Sequence, residues 1–343
     1  MTSLIAALTE PAEAATWPAS AWTDVIGEAR SSEVLGQLAA RMADARVLSS
    51  LPDRVRRQLE LARLTATRRG EAAAWEVSGI RRHLPAQIPL VLLKGCAYRA
   101  IDDANADGRM FSDIDVLVPR EFLDETERML LVRGWQPAAV DDYDSRYYRE
   151  WMHELPPMEH MRRHTTLDLH HAIVPPISRH AFPPQLLFSA MQEIRPGVFV
   201  LSAEDRVIHC AVHVVQEGVA GKVLRDLYDL HRLIRQHFDD EDTFRRLMDR
   251  SVRLGLAKFV EASVSAATQV FGGKPFQGRR SLLSAWLAAA ARQPKGTTRA
   301  ASTVVAAALT TRAHLMKMPL KYLVPHLAHK TMVRWRERGS EEH

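Results

Sequence analysis

Cysteine is scarce in these 343 residues: Cys96 and Cys210 are the only two, and both sit among apolar neighbours. Two isolated thiols exclude a disulfide framework and any paired-cysteine zinc motif, and they agree with a reducing cytoplasm as the expected location. No window holds a run of apolar residues long enough to cross a bilayer, so no membrane span is expected. The opening stretch, MTSLIAALTEPAEAATW, has no basic start and reaches Glu10 early, which rules it out as a secretory signal. No fixed-period repeat is present, which excludes a solenoid. With 46% hydrophobic and 25% charged residues, the chain is also far from the composition of disordered proteins.

The net charge of +5 is concentrated at one end. From Lys295 to His343 there are nine Lys and Arg against three Glu, so the remainder is close to neutral. Such a tail is either a solvated helical face or a surface for an anionic partner, peripheral membrane included. No aromatic-interleaved basic stretch accompanies it, so a nucleic-acid partner is not expected.

Apolar spacing of three and four predicts helices from about Ala21 to His83. Short β-rich runs follow at Ile88–Leu93, Ser112–Val118 and His164–His171, with a helix over Glu121–Arg133 closed by Gly134. Trp135–Pro157 has no clear period. After Pro184 the pattern reads as helical almost to the end, with breaks at Pro319 and Pro325. The expected fold is α+β: a small mixed sheet with N-terminal helices and a larger C-terminal helical region. The expected segments are 1–85, a core at 86–182, and 183–343.

Within that core, Asp113 and Asp115 interrupt an otherwise apolar strand, SDIDVLV. Side chains alternate along a strand, so the two carboxylates share a face while Ile114 and Val116 take the other. Like charges side by side repel, and burying them uncompensated is costly. A divalent cation removes that cost, and Mg²⁺ takes carboxylate oxygens together with substrate phosphates. Asp168, flanked by Leu167 and Leu169 in TTLDLHH, is the candidate third ligand.

Leu-Leu-Lys-Gly at 92–95, then GRMFSDIDVLV, then LDLHH resemble the bacterial nucleotidyltransferase family within the DNA polymerase β-like superfamily, in particular its Leu-Lys-Gly branch. The resemblance in organisation runs from about residue 20 to 240, and the specific motifs lie between 91 and 171. It implies transfer of a nucleoside monophosphate from an NTP to an acceptor oxygen with release of pyrophosphate, using Mg²⁺ or Mn²⁺. Asp113, Asp115 and Asp168 would be the catalytic metal ligands. Lys94, Gly95 and Cys96 would form a phosphate-binding turn, Arg109 would clamp a phosphate or orient a carboxylate, Ser112 would orient Asp113, and His170 would bond a phosphate or Asp168. The acceptor is unidentified; a small molecule, modified peptide or sugar phosphate leads. Cys96 stands where many members have serine, and a thiol is the weaker donor.

Two alternatives belong to other classes. One is a catalytically silent nucleotide-binding scaffold, against which the retention of three acids counts. The other is a zinc hydrolase built from the histidines around Asp168 (His160, His164, His170, His171) or from His209 and His213, although no complete ligand motif is present. His209 and His213 read first as core or interface histidines, and Asp226 as a structural partner of a nearby arginine.

Overall fold

The computed structural model describes residues 3–139, 141–217, 222–273, 280–293 and 300–341. Five helices come first: α1 (Ser3–Thr9), α2 (Pro11–Ala14), α3 (Ala19–Ser31), α4 (Leu35–Asp44) and the long α5 (Asp53–His83). On α5, the buried residues Val55, Leu59, Ala66, Gly70, Ala73, Val77 and Ile80 recur at three, four and seven, which sets them on one face of the helix.

The central region alternates strands and short helices: β1 (Leu90–Leu92), α6 (Lys94–Ala100), β2 (Asp113–Leu117), α7 (Leu123–Val132) and β3 (Trp135–Pro137). Next come α8 (Asp142–Arg146), a π-helical turn at Tyr147–Trp151, β4 (Met158–His160), β5 (Thr166–His170) and α9 (Gln185–Phe188). A hairpin follows, β6 (Gln192–Arg195) and β7 (Val198–Val200), where continued helix is expected from the sequence. Pro196-Gly197 makes its turn, and Gly197 takes the positive φ of 69° that glycine tolerates best. The alternation of buried Val198 and Val200 about Phe199 suits a strand, not a helix.

The rest is helical: α10 (Ala203–Glu217), α11 (Val223–His237), α12 (Glu241–Arg253), α13 (Ala257–Phe271), α14 (Leu282–Ala291), α15 (Ala300–Lys317) and α16 (Leu320–Glu341). Pro319 separates the last two, whereas Pro325 lies inside α16 and does not break it. Within the basic tail, Lys295, Arg299, Glu342 and His343 lie outside the described residues. Among the described residues no helix is long and apolar enough to cross a membrane.

The α+β class is as expected, with the sheet extended by the hairpin to seven strands in the order β3-β4-β5-β2-β1-β7-β6. β1 and β2 run antiparallel, while β2–β5 and β1–β7 are parallel. The sheet separates two cores. Leu90, Leu92, Ile114, Val116, Leu167 and Leu169 join one apolar cluster with α5 and α7. Val91 and Leu117, on the other face, join a larger cluster that unites α1, α3 and α4 with α10, α11, α13 and α14. The period of two thus gives one face to hydrocarbon throughout, and leaves the carboxylates on the face that meets the helical bundle.

Buried polar links tie the loop between α6 and β2 to that bundle. Arg109 Nε donates to Asp229 Oδ2 on α11 at 2.8 Å, and Gln37 Nε2 donates to Asp229 Oδ1 at 2.6 Å. Asn105 Nδ2 reaches the Asp229 carbonyl at 2.9 Å, and Arg206 Nε on α10 reaches Asp103 Oδ2 at 3.1 Å. A buried ion pair adds little stability over an apolar substitute, but removing one partner strands the other charge. Asp229→Ala is therefore expected to cost about 3–5 kcal/mol. Arg109→Met combined with Asp229→Leu should recover much of it, as read by urea denaturation of the three proteins.

Candidate active site

Asp115 on β2 stands directly opposite Asp168 on β5, because the parallel register pairs Asp113 with Thr166, Asp115 with Asp168 and Leu117 with His170. Neighbouring strands lie only about 4.8 Å apart, so this register forces two carboxylates together on one sheet face. Asp113 joins them from two residues earlier on β2. One carboxylate oxygen from each of the three lies within 4.8 Å of the other two.

Asp115 is almost fully buried and heavily compensated. Lys94 Nζ donates to its Oδ1 at 2.7 Å, and His170 Nε2 donates to the same oxygen at 3.1 Å. Burial works to raise its pKa, but the charges of Lys94 and His170 outweigh it and hold the carboxyl well below its ordinary value. Lys94 responds reciprocally: burial disfavours its charge, while Asp115, then Asp113 and Glu154, push its pKa up. Lys94 opens α6 with a positive φ of 43°, an uncommon conformation for a side chain of its size.

Asp168 has no such partners. Its Oδ1 is buried and accepts no hydrogen bond among the described residues. Burial first, then the charge of Asp115, push its pKa up to about 7. A buried acceptor without a donor, facing two further carboxylates, fits a hard divalent cation bound through oxygen.

The other expected residues divide by position. Ser112 Oγ donates to Asp113 Oδ1 at 3.0 Å. His170 lies at the site, bonded to Asp115 instead of Asp168. Burial opposes its charge, but Glu154 and Asp115 prevail and raise its pKa. Gly95 and Cys96 lie in the first turn of α6 and are buried. A Cβ on Gly95 would come within 2.7 Å of an Arg109 guanidinium nitrogen and 3.1 Å of the Phe111 ring, so glycine here admits the arginine that Asp229 holds. Cys96 packs into the apolar cluster of α5 and the sheet. Burial, with Asp115 and Asp113, pushes its thiol up to about 12, so it is a neutral packing group. Arg109 is committed to Asp229 behind the turn.

The remaining histidines do not gather. His160 Nε2 donates to the Arg133 carbonyl, His171 Nε2 to the Met152 carbonyl, and His164 Nδ1 pairs with Glu159 at the surface. His209 is buried and, through burial and then the charge of Lys94, its pKa is well below the ordinary value. His213 Nδ1 bonds Asp226 Oδ2 at 3.1 Å, and Arg225 Nε bonds Asp226 Oδ1 at 3.0 Å, so Asp226 has the structural role expected.

A family model described as an uncharacterised nucleotidyltransferase matches residues 18–272. The chain belongs to this nucleotidyltransferase family. No curated protein and no solved structure matches it. The matched stretch includes every residue of the carboxylate site, the turn behind it, and the helices α10 and α11.

Two groups at the site escape sequence reading. Glu154 and His153 reach β5 through an isolated antiparallel bridge between Glu154 and His170. They come from the stretch without periodicity, where no strand signal marks them.

The displaced pKa of Asp168 sets a pH dependence for the metal-free protein. Because its folded-state value is raised, its contribution to stability is fully present below the ordinary 3.8 and is lost as pH rises through about 7. Asp168→Asn cannot ionise. Without divalent cations it should melt above the wild type at about pH 8, with the advantage shrinking towards about pH 4. Thermal melts in chelator across that range check it, and a pH-independent offset would contradict it.

Proposed function

We propose that this nucleotidyltransferase moves a nucleoside monophosphate from an NTP to an acceptor oxygen, with a divalent cation held by Asp113, Asp115 and Asp168. The observation that carries this reading is the facing pair Asp115 and Asp168, one neutralised by Lys94 and His170 and the other left with a buried, unbonded oxygen. Mg²⁺ or Mn²⁺ bound there would offset the triphosphate charge and acidify the acceptor hydroxyl.

The chain's own groups supply the rest. Ser112 fixes the rotamer of Asp113, and His170 fixes that of Asp115. Lys94, now paired with Asp115, is the cation placed to exchange that bond for a donor phosphate. The acceptor oxygen forms its bond to the α-phosphorus as the bond from that phosphorus to the bridging oxygen breaks. Pyrophosphate leaves with the bridging electron pair. Asp168, facing Asp115 across the parallel register, is placed to receive the acceptor's proton. Arg109 and Gly95 serve by positioning Lys94, not by touching phosphate.

A cleft of about 460 Å³ runs beside the site, its apolar wall formed by Leu35, Leu61, Met110 and Phe111 and its polar one by Arg30, Glu33, Arg69 and Ser112. Ser112 joins this cleft to Asp113. Its apolar wall with two arginines and a glutamate suits an acceptor that has an apolar part and polar or charged groups, such as a modified peptide or a sugar phosphate.

The test is pyrophosphate release with each NTP against a panel of peptide and sugar-phosphate acceptors, with mass detection of the adduct. The wild type should form pyrophosphate and adduct in equal amounts. Asp113→Asn and Asp168→Asn should each lose about a thousandfold or more, since removing several kcal/mol of nucleophile activation costs tenfold per 1.36 kcal/mol. Wild-type turnover in a folded Asp168→Asn protein would refute the mechanism.

A further inference from the structure

His170 at the end of β5 meets a second group of side chains, His153 and Glu154, on its side away from the aspartates. The bridge between Glu154 and His170 brings the two side chains face to face. His170 Nδ1 lies 3.3 Å from Glu154 Oε2, and His153 Nε2 lies 3.8 Å from that same oxygen. The two imidazole rings are 5.5 Å apart between centroids. One ligating atom from each of His153, Glu154 and His170 lies within 4.8 Å of the other two.

These contacts do not satisfy the nitrogens. His170 is 1% exposed, and its Nδ1 makes no hydrogen bond among the described residues despite the closeness of Glu154. His153 turns its Nε2 towards Glu154 at 3.8 Å, longer than a hydrogen bond, while its other nitrogen, Nδ1, is buried without a hydrogen-bond partner. Buried polar atoms are nearly always paired, so a cluster in which His170 Nδ1 lies 3.3 Å from a carboxylate without a hydrogen bond, and His153 Nε2 lies 3.8 Å from it, lacks a component.

We propose that His153, Glu154 and His170 bind one borderline divalent cation of the Zn²⁺ class, at a site separate from the three aspartates. Two nitrogens and one carboxylate oxygen are the donors such ions take, whereas Mg²⁺ prefers an all-oxygen shell. Three protein ligands leave a position open for water or substrate. The other nitrogen of His170 supports the assignment. A metal-ligating histidine usually donates its second N–H to a carboxylate, which fixes tautomer and ring orientation, and His170 Nε2 donates to Asp115 Oδ1 at 3.1 Å. Occupancy at Glu154 would therefore hold His170 as an N–H donor towards Asp115, and join the nitrogen-ligated ion to the catalytic aspartate through one imidazole.

The experiment needs no nucleotide, so it stands or falls separately from the transfer reaction. Chelator-stripped full-length protein is titrated with Zn²⁺ by competition with a chromophoric chelator, and with Co²⁺ by visible absorption. One equivalent of Zn²⁺ should bind, with Co²⁺ giving the ligand-field bands of a nitrogen-ligated ion. His153→Ala and Glu154→Gln should each weaken Zn²⁺ binding by more than about a hundredfold, beyond what the loss of an outer hydrogen-bond partner costs a metal site. The double variant Asp113→Asn/Asp168→Asn should retain the equivalent. Unchanged Zn²⁺ affinity in folded His153→Ala or Glu154→Gln overturns the proposal, as does loss of the equivalent in the double aspartate variant. Should both site variants fail to fold, the wild-type Co²⁺ spectrum decides: bands of an all-oxygen shell overturn it.

Discussion

Two carboxylates held opposite one another by a parallel strand register are the constraint around which this molecule is built. The register of β2 with β5 leaves Asp115 and Asp168 no means of separating, and the apolar alternation that sets the register also buries them. The repulsion is resolved asymmetrically. Asp115 keeps its charge by taking hydrogen bonds from Lys94 and His170, while Asp168 keeps a proton to near neutrality. Two acids of the same kind thereby meet different environments, one held as an anion by its partners and the other left without a donor.

Much of the surrounding architecture maintains this asymmetry. Lys94 reaches Asp115 because α6 begins with it in a left-handed conformation, and the residue that follows must be glycine to make room for Arg109. Arg109 in turn is held by Asp229, which also takes a bond from Gln37. The chain of contacts runs from α4 through α11 to the turn and into the carboxylates. The helical bundle is thus coupled to the site through buried charge, which tolerates substitution poorly when one partner is lost.

The three aspartates were legible in the sequence because strand alternation is a strong signal and an acid inside an apolar strand is conspicuous. Their mutual placement was only implied by the family resemblance, since the register of β2 with β5 depends on a pairing between segments about fifty residues apart. Arg109 shows the same limit more sharply. Its partner Asp229 lies 120 residues away, and nothing local separates a phosphate clamp from a buried ion pair. Glu154 and His153 were missed because they belong to irregular chain. The hairpin β6–β7 was missed although Pro196-Gly197 is a turn signal, since strongly helical segments on either side dominate the periodicity. Cys96, expected to belong to a phosphate-binding turn, is instead buried as part of the apolar core.

The most direct measurement is anomalous diffraction from crystals grown with Mn²⁺ and a non-hydrolysable NTP analogue. The account predicts manganese density among the carboxylates of Asp113, Asp115 and Asp168, with the triphosphate reaching it and Lys94 turned from Asp115 towards phosphate. Nucleotide bound elsewhere, with the three carboxylates free of metal, would contradict it.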